Sequence, residues 1–172
     1  MVFDEDGKPL SMTEVQPSAY ARVRMDFEAT EHEWRMCQGF VAQTLPSIED
    51  MAMWKTVLVK MHAAVQDWVF LRLMAVLEDA LNLAIETHVP GHAPLATLND
   101  KLRFADDLKL LSRASDLHRL KKARNEFMHT CQMNADVEAD DALDIIAAEL
   151  EHLGFGPVAR VGPDQYLPPD EA

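Results

Sequence analysis

Residues 50–88 read DMAMWKTVLVKMHAAVQDWVFLRLMAVLEDALNLAIETH, thirty-nine positions without a proline or a glycine. From Val65 to Ile85 the stretch is apolar on nearly every side, the pattern of a helix that runs through the middle of a bundle. Arg72, Glu78, Asp79 and Asn82 interrupt it, so it falls short of the roughly 20 uninterrupted apolar residues that a membrane-spanning helix needs. Val89-Pro90-Gly91 stops this helix. On its other side Leu45-Pro46-Ser47 ends an earlier one, and Ser47 with Asp50 three residues later reads as a capping box for the start of the long run. That earlier helix spans Ser18 to Thr44, with Tyr20, Val23, Phe27, Trp34, Val41 and Leu45 at helical spacing and Thr30 and Cys37 completing the stripe.

Downstream, Thr97 and Asp100 form another capping pair, followed by the apolar face Leu98, Leu102, Ala105 and Leu108. A break is expected near Ser112 to Ser115. Asp116 to His129 then carries Leu117, Leu120, Ala123 and Phe127 on one side, and Val137 to Leu153 makes a last amphipathic helix that Gly154 stops. The fold class is therefore all-α, a four- to five-helix bundle. Residues 1–17 are expected to be a polar leader, 18–154 the helical domain, and 155–172 a Pro/Gly-rich tail, irregular or folded as a hairpin around Gly162-Pro163-Asp164.

The chain has 172 residues, 48% hydrophobic and 26% charged, with 16 Lys plus Arg against 29 Asp plus Glu and a net charge of −13. A molecule of that sign repels phosphate backbones and anionic membranes as a whole. The N-terminus lacks the basic and apolar regions of a signal peptide, so a cytoplasmic location with reduced thiols is expected and no membrane partner. Two cysteines, Cys37 and Cys131, make no disulfide framework. His88 and His92 flank a Pro-Gly turn but have no third ligand nearby, so no metal and no cofactor are expected. Trp34, Trp54 and Trp68 fall at helical core positions and read as packing residues.

One segment departs from the acidic background. Lys101 to Arg124 holds eight basic and three acidic residues, whereas Arg160 stands alone against eleven acids after Arg124. Such a run is either a solvated, salt-bridged face or a local phosphate-binding strip. Glu78 and Asp79, on an otherwise apolar helix, require either a basic partner on the motif helix or an exposed turn, because an unpaired buried carboxylate is costly.

Across the end of that strip runs Leu117-His118-Arg119-Leu120-Lys121-Lys122-Ala123-Arg124-Asn125-Glu126-Phe127-Met128-His129. Arg124, Asn125, three further residues and His129, near a helix end with apolar residues behind, resemble the Arg-polar-x3-His signature of the HEPN superfamily. The resemblance covers roughly residues 50–153, and within the superfamily it is most similar to the domains of abortive-infection and toxin systems. It implies a homodimer whose motifs face each other across a cleft, and in active members a metal-independent ribonuclease acting on RNA, whether tRNA or mRNA, restrained by an antitoxin protein. In toxins neutralised by nucleotidyltransferases a Tyr follows the His by two residues; Cys131 stands there in this chain, against that mode of control.

The residue types suit the chemistry. Histidine titrates near neutrality and can move a proton; arginine is always charged and binds phosphate in a bidentate manner. His129 is then the general acid or base, Arg124 the phosphate clamp and Asn125 the positioning amide, with His118, Arg119, Lys121 and Lys122 contributing RNA contacts. At about 100° per residue, His118, Lys122, Asn125 and His129 share one stripe, whereas Arg124 lies about 140° around from His129. Either the Arg124 side chain wraps round, or the helix ends near His129, or a two-fold partner supplies the missing half. The alternatives to a nuclease are a catalytically silent binding or regulatory module of the same family, and a plain helical scaffold in which Asn125 and His129 only cap a helix.

Overall fold

The computed structural model describes residues 17–48, 50–130 and 137–158, and all regular structure among them is helical. Five helices follow one another: α1 (Pro17–Ser47), α2 (Ala52–His88), α3 (Leu98–Asp107), α4 (Ala114–Thr130) and α5 (Ala139–Leu150), the last running into a wide π turn at Glu151–Phe155. The expected all-α bundle is what forms. The leader up to Gln16, Cys131 and the expected tail hairpin lie outside the described residues.

α1 and α2 have 31 and 37 residues, or about 46 and 55 Å at 1.5 Å per residue, and pack against each other as an antiparallel hairpin. Only the second half of α2 is wrapped. Of its twelve buried residues, eleven lie from Val69 to Thr87, and Leu58 alone lies before them. Phe70, Leu73, Leu77, Leu81 and Ile85 meet Phe27 of α1, Leu102 of α3, Leu117 and Leu120 of α4, and Leu143 and Ile146 of α5 in one cluster. A helix apolar all round is stable only where neighbours cover every side, and α1, α3, α4 and α5 all contact α2.

Polar contacts fix the outer helices. Asp140, at the start of α5, accepts hydrogen bonds from Trp34 Nε1 at 3.2 Å and Gln38 Nε2 at 2.9 Å, and also from Arg35 of α1. Past the π turn, Phe155 stacks on Tyr20 with ring centroids 5.1 Å apart. Gly156 makes that possible: its φ is +74°, and a Cβ there would stand 3.0 Å from the Tyr20 hydroxyl.

Glu149 of α5 is fully buried. One oxygen accepts from the Ser112 amide at 3.0 Å; the other accepts from the Ser112 hydroxyl at 2.8 Å and the Arg113 amide at 3.0 Å. A carboxylate at this point satisfies donors at the amino end of α4 and sits at the positive end of its dipole. The start of the motif helix is thus set by a residue 36 positions further along the chain.

Three sequence expectations are corrected. Pro46 sits inside the last turn of α1 instead of ending the helix before it; its missing N–H removes one hydrogen bond from that turn. Ser47 does not cap α2, since its hydroxyl donates to the Thr44 carbonyl at 2.7 Å, and α2 begins at Ala52 behind Met51 with no side-chain cap. Trp34 is core as expected, but Trp54 and Trp68 are 55% and 46% exposed, because no other described helix packs over their side of α2.

Two titrating groups are shifted by burial. The half-buried Cys37 thiol is pushed up, which lowers its thiolate fraction and its reactivity. Burial also raises the pKa of Asp67 on α2. A carboxyl whose folded pKa lies above its unfolded value opposes folding when ionised, and the opposition fades as pH falls through the folded pKa. Asp67→Asn should therefore raise the melting temperature at pH 7, with the gain vanishing in strongly acidic buffer. For Glu149→Ala, which strands two amides and a hydroxyl, urea unfolding should show a loss of about 3 kcal/mol.

Candidate functional site

The site begins with α4, whose Leu117, Leu120 and Ala123 are buried against the core while Phe127 is half-buried. This burial turns Lys121, Arg124 and Asn125 toward the amino end of α3. There Thr97, in extended backbone, accepts from the Asp100 amide at 3.1 Å, and its own hydroxyl donates to the Asp100 carboxylate at 2.7 Å. The capping pair legible in the sequence is the one that forms.

Between the two elements lies a cleft of about 450 Å³ lined by Glu78, Ala96, Thr97, Leu98, Asn99, Lys121, Arg124 and Asn125. Lys121 Nζ donates to Asn99 Oδ1 at 3.0 Å, tying α4 to α3 across it. The first-turn amides of α3 have no partner in their own helix ladder, and that end of the helix dipole is positive. Two cations, one carboxylate, two amide side chains and a helix amino end thus share one wall system, whose balance is positive and favours an anion.

Glu78 closes the floor. Its Oε1 accepts from Lys101 Nζ at 2.6 Å, and its Oε2 stands 3.9 Å from Arg124 Nη2. The basic partner required on the motif helix is Arg124, but the closer one is Lys101 of α3. Lys101 is 7% exposed, so its pair with Glu78 is structural. The Arg124 contact is too long for a hydrogen bond, and the guanidinium remains one third exposed, which leaves its donors available to a ligand. The charge strip is accordingly not one surface: Lys101 is directed inward, while Arg103, Lys109 and Arg113 are exposed.

The other candidate residues are spread around α4. Asn125 is exposed at the cleft rim, and His129 is exposed one turn on, in the last turn before α4 ends at Thr130. The described part of α4 ends at Thr130, one residue past His129. His129 does not line the cleft. His118 is half-buried, Arg119 is exposed, and Lys122 is exposed with its Nζ 3.8 Å from Glu126. Lys121 is therefore the one of the four proposed RNA-contact residues that the fold places beside Arg124.

Among the described residues no three His, Cys, Asp or Glu side chains group as metal ligands. His88 and His92 each set Nδ1 against a backbone carbonyl, of Ala84 and Ala93 respectively. No described helix is long and apolar enough to cross a membrane. Sequence reasoning missed Thr97 and Asn99 as cleft residues and Lys101 as the partner of Glu78; the Thr97-Asp100 cap marked the start of α3 but not that it faces α4.

Comparison with family models, with curated proteins and with solved structures finds no match to this chain. The geometry separates two roles at one carboxylate, and stability measurements distinguish them. Glu78→Ala, which leaves Lys101 buried without its partner, should cost about 3 kcal/mol in urea unfolding. Arg124→Ala, which removes a partly exposed and distant partner, should cost less than about 1 kcal/mol.

Proposed function

We propose that this chain is a metal-independent endoribonuclease of a toxin-antitoxin or phage-defence type system, acting in the cytoplasm on tRNA or mRNA. The observation that carries the proposal is the meeting of Arg124, Asn125 and Lys121 with the amino end of α3 in one cleft. Together with the Arg-Asn-x3-His pattern, that is the chemistry of a phosphodiester site that needs no metal. Arg124 takes the non-bridging phosphate oxygens in a bidentate manner, and the α3 amino end adds positive potential where negative charge grows. Lys121 holds the neighbouring phosphate, while His118, Arg119 and Lys122 attract the strand along α4.

The reaction is an internal displacement. The ribose 2′-oxygen attacks phosphorus, the bond from phosphorus to the 5′-oxygen breaks, and a 2′,3′-cyclic phosphate and a 5′-hydroxyl result. His129 moves the proton, either taking it from the 2′-hydroxyl or delivering one to the departing 5′-oxygen. Asn125, on the same stripe and about 6 Å from His129 between Cβ atoms at i, i+4 spacing, orients phosphate or imidazole. The chain works as a homodimer, and an antitoxin protein that covers the Arg124 cleft keeps it silent.

A specific observation favours the second reading, a catalytically silent binding module of the same architecture: His129 lies off the cleft walls, and a carboxylate stands beside Arg124. One experiment separates the two. Purified chain is incubated with total tRNA and a structured mRNA in excess EDTA, and the ends are analysed. The nuclease reading expects cyclic-phosphate ends from wild type, a loss of at least about 100-fold in His129→Ala, and a comparable loss in Arg124→Ala with circular dichroism unchanged. Filter binding of RNA that Arg124→Ala weakens, without cleavage by wild type, gives the binding module instead.

A further inference from the structure

Eleven large apolar side chains are left exposed among the described residues, and nine of them fall between Met36 and Trp68. They occupy the end of the α1–α2 hairpin remote from the buried half of α2. Along α2 the exposed positions Trp54, Val57, Met61, Ala64 and Trp68 are spaced three, four, three and four residues apart. That is the spacing of a coiled-coil seam. It is distinct from the side that packs on α1, where Leu58 is buried and His62 stacks on Trp34 at 5.0 Å. α2 therefore carries two seams, and the second is exposed, with the Arg72 guanidinium lying over the Trp68 ring, 4.7 Å from its centroid, at one end. Beside it Phe40, Thr44 and Ile48 of α1 complete an apolar groove of about 210 Å³.

Two further observations identify the occupant. Met36 to Trp68 holds three acids, Glu49, Asp50 and Asp67, and two lysines, Lys55 and Lys60, so this end carries only −1 of a net charge of −13. Copies of so acidic a chain repel one another least where the facing surfaces carry little net charge. Six of the nine face the seam or its groove, Phe40, Met53, Trp54, Val57, Met61 and Trp68; at about half exposure each leaves on the order of 100 Å², about three quarters of the ~800 Å² per partner of a stable interface.

We propose that a second copy of this chain docks here, seam against seam, to form a four-helix bundle from two α1–α2 hairpins. The pairing is antiparallel. It sets Trp54 opposite Ala64 of the partner subunit and Val57 opposite Met61 of the partner subunit, and two-fold symmetry repeats both layers. Each layer then matches a large side chain to a smaller one, whereas parallel pairing would stack tryptophan on tryptophan. Glu78 lies 17 residues beyond Met61, about 25 Å along the helix. The Arg124 cleft is thus outside this interface, and the proposal stands apart from the ribonuclease reading and from a dimer with facing motifs.

Sedimentation equilibrium of the full chain over a dilution series tests it. Wild type should reach twice its 19.4 kDa mass, with tryptophan emission shifting to the blue as Trp54 and Trp68 leave water. Met61→Glu and Ala64→Glu alter exposed positions only, so each should keep wild-type helicity and sediment as a monomer. Arg124→Ala should remain a dimer whether or not it cleaves RNA. The proposal is overturned if wild type stays monomeric, if both seam variants still dimerise, or if Arg124→Ala alone dissolves the dimer. Monomeric wild type with Trp54 and Trp68 already shielded would assign the seam to this chain's own Met1–Gln16 or C-terminal segment, and would equally overturn it.

Discussion

Glu78 is the ionic hub of the bundle. It lies on α2 in the midst of Met74, Leu77 and Leu81, all fully buried, and a carboxylate so placed needs cations within reach. Lys101 answers from α3 at 2.6 Å and Arg124 from α4 at the longer distance of 3.9 Å. The shorter pair pins α3 to the central helix; the looser one draws the motif helix toward the same point while leaving the guanidinium open. The cleft lies where these two helices converge on one charge. Glu149 complements this from the other end of α4, where it holds the Ser112 and Arg113 amides.

This arrangement separates structural charges from accessible ones within a few side chains. Lys101 is directed inward and contributes to holding the helices together, although it belongs to the same basic run as Lys121 and Arg124. Lys121 contributes to both, since its bond to Asn99 crosses the cleft. An anion entering between Lys121 and Arg124 would meet cations already positioned by neutral or distant partners, so little reorganisation would oppose binding. His129, on the last turn of α4, stands outside the cleft on the polar stripe of that helix.

Much of this was legible in the chain. The proline- and glycine-free run from Asp50 to His88 announced the central helix, and the Leu117, Leu120 and Ala123 spacing announced which side of α4 faces inward. The Thr97-Asp100 pair formed as a cap because its geometry is local. The Ser47-Asp50 pair did not, because the Ser47 hydroxyl turned back to the Thr44 carbonyl. The basic strip was visible as composition, but not its division into one internal and several external charges. That division depends on Glu78, 23 residues away from Lys101.

By itself the sequence determined the helices, their order and the inward stripe of each, because periodicity and end signals act through the backbone of a few neighbouring residues. It also placed Arg124, Asn125 and His129 on one helix at fixed angles. Tertiary structure alone decided that Arg124 meets the amino end of α3, that His129 stands outside that cleft, and that Trp54 and Trp68 face outward. An apolar stripe states which side of a helix avoids water; what covers that side depends on residues far along the chain, or on another molecule.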